Sequence, residues 1–172
     1  MRFISLLASF LLIFSIQTFA QDISDSITVY FFLSEECKIC QFYTDELNEL
    51  HENYTNDQIS FVGLFPNRHS TKVGIAAFKE RYDIDFPLKK EFYQTKTKQF
   101  EASITPEVII YDEKNQVKLY QGRIDESYIR VGKRKRVVKK RELREALESI
   151  HNHTFPEIRT TEAVGCYINL IN

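Results

Sequence analysis

The sequence predicts an α/β fold with a central mixed β-sheet flanked by helices. Two strand-like segments alternate with two helix-like segments in the first half, and a β-hairpin followed by a helix occupies the second half. At 172 residues, with 43% hydrophobic content and a formal net charge of -1, the chain has the composition of one globular domain. This balance gives no overall electrostatic attraction to nucleic acid or membrane, so any such preference must be local.

The first 20 residues have the pattern of a cleaved secretory signal. Arg2 supplies the positive start, residues 3–16 are almost entirely apolar, and Thr18 and Ala20 are the small residues before the cleavage point. An uncleaved membrane anchor is the alternative, but the apolar run is short for a membrane span. Export would place the cysteines where disulfides form and persist.

The first half of the mature chain predicts βαβ units. Residues 27–33 and 59–65 are continuous β-branched and aromatic runs, typical of strands buried on both faces. Apolar residues recur at three- and four-residue steps over 37–54 and again over 71–82, which predicts two amphipathic helices. Short links between these segments imply that the strands are at least partly parallel.

The second half predicts a hairpin and a last helix. After a short helical stretch over 94–101, strands are predicted at 107–112 and 116–124, joined by a turn at Lys114-Asn115. The last helix is predicted over 139–151. We therefore divide the chain into a signal (1–20), a domain (21–152) and a C-terminal extension (153–172) that contains Cys166.

The stretch "SEECKIC" places Cys37 and Cys40 three positions apart, where a strand gives way to a helix. The free N–H groups and the dipole at a helix N-terminus stabilise an anion, and the thiolate is the form of cysteine that attacks a disulfide. Cys40, one turn later, can resolve the mixed disulfide. Lys38 favours the thiolate, whereas Glu35 and Glu36 oppose it.

Other uses of a CxxC pair fit less well. A haem-attachment motif needs His after the second cysteine, and this chain has Gln41. Zinc needs two more ligands, for which Cys166, His151 and His153 are the candidates. A purely structural disulfide would close such a short loop that it would stabilise little. We expect redox chemistry, with no metal and no bound cofactor.

A second element of the site is Thr105-Pro106, immediately before a predicted strand. Proline cannot donate a hydrogen bond to a sheet, so it belongs at a strand start or in a special turn. Glu107 follows directly; it is a candidate for moving protons at the buried cysteine, or else a surface residue at the strand start.

The chain resembles the redoxin and thioredoxin superfamily, which includes thioredoxins and peroxiredoxins, and more closely a group of exported bacterial redoxin-domain proteins. The matching segments are "EECKICQFYTDELNELHENY", "VGLFPN", "ITPEVIIYD", "YQGRIDESYIRVGKRK" and "TTEAVGCYI". The resemblance implies a thioredoxin-like fold in which Cys37 is the reactive cysteine. Pro106 would be a cis-proline facing the cysteine pair, and the backbone of Thr105 would pair with the substrate chain. Arg123 and Asp125 match the "GRID" turn of the group.

The chain departs from these relatives at the motif itself. The group often has Cys-Pro and no second cysteine, whereas here Lys38 replaces the Pro and Cys40 is present. Thioredoxins have Trp before the first cysteine and Gly-Pro between the two, and both features are missing. The substrates and potential of thioredoxin therefore do not transfer.

The resemblance implies an exported thiol–disulfide oxidoreductase in the bacterial periplasm that exchanges electrons with protein disulfides and with a redox partner. A peroxiredoxin-like thiol peroxidase is the first alternative: Ser34 stands three residues before Cys37 and Arg123 would be the distant cation, but Tyr30 occupies the position of the family's proline. The second alternative is a redox-silent binding module on the same fold. The sequence leaves open whether the protein oxidises, reduces or isomerises disulfides.

Two further features leave alternatives open. Cys166 is either a second resolving partner for Cys37 or Cys40, or a buried free thiol packed with Val164 and Ile168. Residues 130–141, "RVGKRKRVVKKR", carry eight basic side chains, which we interpret as a solvated loop leading into a helix. Contact of this run with an anionic membrane surface or an acidic partner is the alternative.

Overall fold

A computed structural model describes residues 22–171. The predicted secretory signal lies outside the described residues. Within residues 22–171, none of the helices has the length and apolar character needed to cross a membrane.

The centre of the molecule is a five-stranded mixed sheet in the order β3-β2-β1-β5-β6. The strands are β1 (Ile27–Phe32), β2 (Ile59–Phe65), β3 (Leu88–Lys90), β4 (Ile104–Thr105), β5 (Glu107–Asp112), β6 (Val117–Gly122), β7 (Tyr128–Arg130), β8 (Lys133–Arg134) and β9 (Cys166–Tyr167). Strand β2 runs parallel to both β1 and β3, β5 runs antiparallel to β1, and β6 completes the predicted hairpin with β5. The mixed sheet agrees with the prediction; β3 was not predicted.

Among residues 22–171, four helices connect and cover the strands. They are α1 (Lys38–Tyr54), α2 (Lys72–Arg81), α3 (Thr95–Phe100) and α4 (Glu142–His151). All four were predicted, and the largest error is at α4, which begins three residues later than expected because Arg141 still has a non-helical conformation.

The sheet separates two apolar clusters, because successive side chains of a strand point to opposite faces. Val29 and Phe31 of β1 belong to a large cluster that also contains side chains of α1, α2 and α4. Tyr30 and Phe32 belong to a smaller cluster on the other face, which also contains Phe100 of α3 and Ile168 near the C-terminus. Both cysteines of the CxxC stretch lie in the large cluster.

The basic run 130–141 does not form a simple loop. Its first residues complete a hairpin, in which β7 pairs with β8 and Gly132 adopts a positive φ of 78° at the turn. The basic side chains are exposed, as predicted. The prediction of a loop conformation was wrong for Arg130, Lys133 and Arg134, which lie in these two short strands.

The C-terminal extension lies against the domain. Strand β9 pairs antiparallel with β4, which brings Cys166 opposite Thr105 and Tyr167 opposite Ile104. Further upstream, Thr160 forms an isolated parallel bridge with Gln121 of β6. The extension therefore reaches the two-residue strand that precedes Pro106.

Candidate active site

Cys37 is the residue that caps the N-terminus of α1. Its backbone is extended (φ -74°, ψ 114°), and its N–H donates to the carbonyl oxygen of Ser34 over 3.2 Å. The turn from β1 into α1 thus places the Cys37 sulfur at the positive end of the helix, where an anion is stabilised. Only 2% of Cys37 is exposed.

The surroundings of Cys37 favour its thiolate. The Cys40 thiol donates to it, and this lowers the pKa of Cys37 most; burial raises the pKa, while the Cys166 thiol and the backbone N–H groups of Cys40 and Ile39 lower it further, to about 5. When protonated, the Cys37 thiol donates to the carbonyl oxygen of Thr105, with 3.2 Å between sulfur and oxygen. Cys37 is therefore largely ionised at neutral pH.

The surroundings of Cys40 favour its protonated thiol. It is fully buried, and this burial, reinforced by the neighbouring Cys37, raises the pKa of Cys40 well above its ordinary value despite a hydrogen bond from the backbone of Ser34. Cys40 therefore stays protonated at neutral pH. Two thiols one turn apart at the start of α1 thus have pKa values shifted in opposite directions.

The wall opposite Cys37 is the Thr105-Pro106 step. The peptide bond between these residues is cis, as the resemblance implies. The Thr105 side chain is buried, and its carbonyl oxygen faces the Cys37 sulfur. This arrangement leaves the Thr105 backbone available to pair with an extended chain, and in this structure that chain is β9.

Cys166, which is paired with Thr105, also contacts Cys37. The two sulfur atoms are 2.9 Å apart, and all three cysteines are free thiols. Cys166 is exposed, so the interpretation of a buried thiol packed with Val164 and Ile168 is wrong. Partial burial and the neighbouring Cys37 raise the pKa of Cys166 to about 12.

Lys38 and the two glutamates before Cys37 point to other partners. The Lys38 ammonium donates to the side chain of Gln41 over 3.0 Å. Glu35 accepts a hydrogen bond from the Ser70 hydroxyl at 2.6 Å, and Glu36 lies 3.7 Å from His69. These three charges are therefore engaged with groups other than the reactive sulfur.

Glu107 is buried, but on the other face of the sheet. It lies opposite Phe32 in the β1–β5 register, and Phe32 belongs to the small cluster rather than to that of Cys37. Its carboxylate accepts hydrogen bonds from the backbone N–H of Ser103 at 3.0 Å and from the side chain of Gln121 at 2.8 Å. Both interpretations of Glu107 are therefore wrong: it is neither at the surface nor directed at the cysteines.

Arg123 lines a small cavity together with Pro106, and its guanidinium is bound to a carboxylate. Its guanidinium forms a salt bridge with Glu142 at the start of α4, including a bond from Nε of 3.1 Å. The other residue of the "GRID" turn, Asp125, accepts hydrogen bonds from the Tyr43 hydroxyl at 2.5 Å and from the Ser127 N–H at 2.7 Å. The turn thus fastens α1 and α4 to the sheet beside the site.

Three contributions to the site escaped the sequence analysis. The backbone N–H of Ser34 stabilises the Cys40 sulfur. The Tyr43–Asp125 hydrogen bond holds the helix that carries both cysteines. Gly165 lets the C-terminal extension approach Thr105; a Cβ atom there would lie 2.0 Å from the Thr105 carbonyl oxygen. None of these has a local sequence signal, because each depends on how the backbone folds around the site.

Comparison with known proteins agrees with this geometry. The model of the AhpC/TSA family matches residues 15–120, more than half of the chain, including Cys37, Cys40 and Pro106. The chain belongs to the AhpC/TSA family. Residues 121–172, with Cys166, lie beyond the matched part of this redoxin. Comparison with curated proteins finds no match.

Solved structures show that this AhpC/TSA member has a thioredoxin-like fold. A hypothetical protein of Sinorhizobium meliloti 1021 aligns with a TM-score of 0.72 and 21% identity, covering 86% of this chain and 81% of that one. An uncharacterized conserved protein of Geobacillus kaustophilus aligns with a TM-score of 0.72 and 22% identity, covering 87% and 79%. A thioredoxin-like superfamily protein aligns over 58% of this chain and 70% of its own, with a TM-score of 0.50 and 16% identity. The family membership supports a redox role for the thiols.

Proposed function

We propose that the protein is an exported thiol–disulfide oxidoreductase that exchanges electrons with protein disulfides through Cys37 and Cys40. The observation that carries the proposal is the opposite shift of the two thiols. Cys37 has a pKa lowered to about 5, whereas burial holds Cys40 protonated one turn deeper in α1. A thiolate that attacks first and a protected thiol that resolves afterwards are what exchange requires.

The reaction proceeds in two displacements. The Cys37 thiolate attacks one sulfur of a substrate disulfide, so that a Cys37–substrate bond forms and the other substrate sulfur leaves as a thiolate. Cys40 then passes its proton to the substrate and attacks the Cys37 sulfur. The second substrate sulfur leaves as a thiolate and takes a proton from water. The products are a Cys37–Cys40 disulfide and two substrate thiols; a redox partner returns the two electrons, or the same steps run in reverse. The cysteines carry the electrons, so no cofactor takes part.

Pro106 and Thr105 have the role of a substrate wall in this proposal. The Thr105 carbonyl oxygen lies 3.2 Å from the attacking sulfur, and the short strand β4 offers its edge to an extended chain. A substrate segment paired there would bring its own sulfur next to Cys37. The substrate class is accordingly an extended, disulfide-containing protein segment.

The geometry favours this exchange over a peroxidase. A peroxidase of the peroxiredoxin type would use the Ser34 hydroxyl and a free cation beside Cys37. Ser34 is buried, and the guanidinium of Arg123 is bound by Glu142. Hydrogen peroxide consumption is therefore expected to be slow compared with disulfide exchange.

Reduction of insulin disulfides by the full-length mature protein, with dithiothreitol as electron donor, tests the proposal. We expect turnover in the wild type, none in Cys37→Ser, and accumulation of a mixed disulfide with insulin in the double variant Cys40→Ser/Cys166→Ser, in which no other thiol of the chain can resolve it. Circular dichroism of each variant would check that the fold is intact. A folded wild type without turnover would instead support a redox-silent binding module, and Cys37-dependent loss of hydrogen peroxide at a higher rate than insulin reduction would support the peroxidase.

Export requires its own experiment. Expression of the complete chain in a bacterium, followed by fractionation and N-terminal sequencing, should yield a periplasmic protein that begins at Gln21. Retention of Met1 in a membrane fraction would mean an anchor rather than a cleaved signal.

A further inference from the structure

The C-terminal extension occupies the place where a substrate chain is expected. Strand β9 pairs with β4, and the Thr105 hydroxyl donates to the carbonyl oxygen of Cys166 over 3.3 Å. Thr105 therefore contacts both cysteines, since its carbonyl oxygen accepts from the Cys37 thiol. The extension thus presents Cys166 to Cys37 as a bound substrate would present its own sulfur.

Hydrogen bonds hold the extension on both sides of Cys166. Upstream, the backbone of Thr161 donates to the carbonyl oxygen of Gln121 at 3.0 Å. Downstream, the N–H of Ile168 donates to the carbonyl oxygen of Ser103 at 2.8 Å, and the Ile168 side chain is buried in the small cluster. The buried side chain of Gln94 donates to the carbonyl oxygen of Asn169 and accepts from the N–H of Ile171, both at 2.8 Å.

Two glycines fit the extension closely to the domain. Gly165 passes so near β4 that a Cβ atom would lie 2.0 Å from the Thr105 carbonyl oxygen. Gly122 has a φ of 145°, and a Cβ atom there would lie 2.2 Å from the Thr161 hydroxyl oxygen. A residue larger than glycine at either position would push the extension away, so the docked position of the extension depends on these two glycines.

The extension also covers the nucleophile. Only 2% of Cys37 is exposed, although a protein disulfide must reach its sulfur, and the Cys166 sulfur lies on it at 2.9 Å. A two-residue strand is a small element that a competing chain can displace. Access to Cys37 therefore requires β9 to leave β4.

We propose that the C-terminal extension is a built-in substrate, and that Cys166 is a third exchanging thiol which forms a disulfide with Cys37 and closes the site. This inference rests on the proposed function, because it uses the same attacking sulfur. In the oxidised protein, the Cys166 thiolate attacks Cys37; the Cys37–Cys166 bond forms, the Cys37–Cys40 bond breaks, and Cys40 takes up the proton that Cys166 lost. No external oxidant or reductant is consumed, since one disulfide replaces another.

The same attack releases a trapped substrate. When Cys37 is joined to a substrate sulfur, Cys166 can displace that sulfur, which leaves with the proton of Cys166 as a thiol. The result is a Cys37–Cys166 disulfide with β9 on β4, a form in which external chains have no access. Cys40 and Cys166 therefore compete to resolve Cys37, one from within the helix and one from the substrate side.

Oxidised glutathione, added to the full-length mature Cys40→Ser variant, tests this directly. We expect Cys37 to take up glutathione and Cys166 to displace it, so that peptide mapping by mass spectrometry finds an intramolecular Cys37–Cys166 disulfide as the main product. Adding Gly165→Val should slow formation of this disulfide by at least about tenfold, because the two sulfurs no longer start in contact. Glu162→Val, an exposed position in the same extension, is the matched control and should leave the rate unchanged.

Each outcome of the glutathione experiment supports or contradicts the role proposed for Cys166. A lasting Cys37–glutathione adduct with Cys166 open to alkylation would overturn the inference, and so would a Cys37–Cys166 link between two chains. If that adduct persists while the wild type still reduces insulin, the inference fails and the proposed function stands. If Cys37 in the wild type and in Cys40→Ser forms no adduct and no disulfide at all, the proposed function fails as well.

Insulin turnover gives an independent readout that needs no loss of Cys40. With Cys40 intact, Cys166→Ser removes the closing disulfide but keeps Gly165 and the docked strand, whereas Gly165→Val removes the docking. Both variants should turn over insulin several-fold faster than the wild type, because β9 no longer closes the site covalently or by pairing. Unchanged turnover in both folded variants would contradict closure of the site by the extension.

Discussion

Replacing Cys40 with alanine tests the physical origin of the reactive thiolate. The Cys40 thiol is the strongest of the groups that lower the pKa of Cys37, ahead of Cys166 and the helix backbone. Alanine keeps the site apolar and nearly fills it, but it removes the donor. We expect the pKa of Cys37 to rise, because a buried anion then loses its best hydrogen bond.

The size of the rise follows from the energy of that bond. A hydrogen bond to a charged group contributes roughly 1.5–3 kcal/mol, and one pKa unit corresponds to about 1.4 kcal/mol. Loss of the bond should therefore move the pKa of Cys37 from about 5 in the wild type by roughly one to two units, to a value between about 6 and 7. Backbone N–H groups of α1 remain and keep it below that of a free cysteine.

The measurement is the rate of alkylation of reduced Cys37 by iodoacetamide as a function of pH, followed by mass spectrometry of the Cys37 peptide. The midpoint should be highest in Cys40→Ala and intermediate in Cys40→Ser, since a hydroxyl can still donate to the thiolate. Cys166→Ala removes a weaker donor and should shift the midpoint less. Equal midpoints in the wild type and Cys40→Ala would refute the reasoning.

Two other predictions concern stability. Asp112 is buried, which alone would raise the pKa of its carboxyl, but hydrogen bonds from Ser24 and Asn115 outweigh burial and lower it. Asp112→Asn should lower the free energy of unfolding by about 1–3 kcal/mol at pH 7. Because the folded pKa lies below the unfolded one, this contribution should start to decrease as the pH falls below about 4 and be lost only once the pH is below the folded pKa. Arg123→Gln should lower the free energy of unfolding by about 2–4 kcal/mol, because it leaves the buried carboxylate of Glu142 without its cation. Chemical denaturation at pH 7, repeated near pH 3 for the first variant, measures both.

Exposed counterparts are the controls for these two variants. Asp57→Asn changes an exposed carboxylate and should alter the free energy of unfolding by less than about 0.5 kcal/mol. Arg141→Gln breaks a more exposed salt bridge with Glu46 and should lower the free energy of unfolding by less than about 1 kcal/mol. Losses as large as those of Asp112→Asn and Arg123→Gln would show that burial is not the cause.

Elements with a long and regular pattern were predictable. The apolar runs of β1 and β2 and the helical spacing of α1 gave their positions within one residue, because burial on two faces or on one helical face leaves a clear trace. Strand β3 has only three residues, none of them fully buried, so it has no such trace. Strand β8 and the last residue of β7 lie in the exposed basic run, where no apolar alternation marks the strands.

The residues of the candidate site were likewise predictable only in part. The roles expected of Cys37, Cys40 and Pro106 came from spacing and resemblance, and the structure places these residues around one sulfur. The place of Glu107 was misjudged because the face that a side chain takes depends on strand register and on partners such as Gln121. The salt bridge between Arg123 and Glu142 was not predicted. Glu107 follows Pro106 directly, but it lies opposite Phe32 in the sheet and therefore faces the small cluster.

The sequence by itself determined the α/β layout and the CxxC pair at a helix N-terminus, because each of these depends on residues that are neighbours in the chain or on a repeating pattern. The proline opposite the pair was implied by the family resemblance. Only the tertiary structure decided the partner of Cys37 on the substrate side. Cys166 is 129 residues away in sequence, and its sulfur reaches Cys37 through a two-residue strand whose approach depends on the missing side chain of Gly165. Such a contact is fixed by the close fit of two backbones, which no local pattern of residues records.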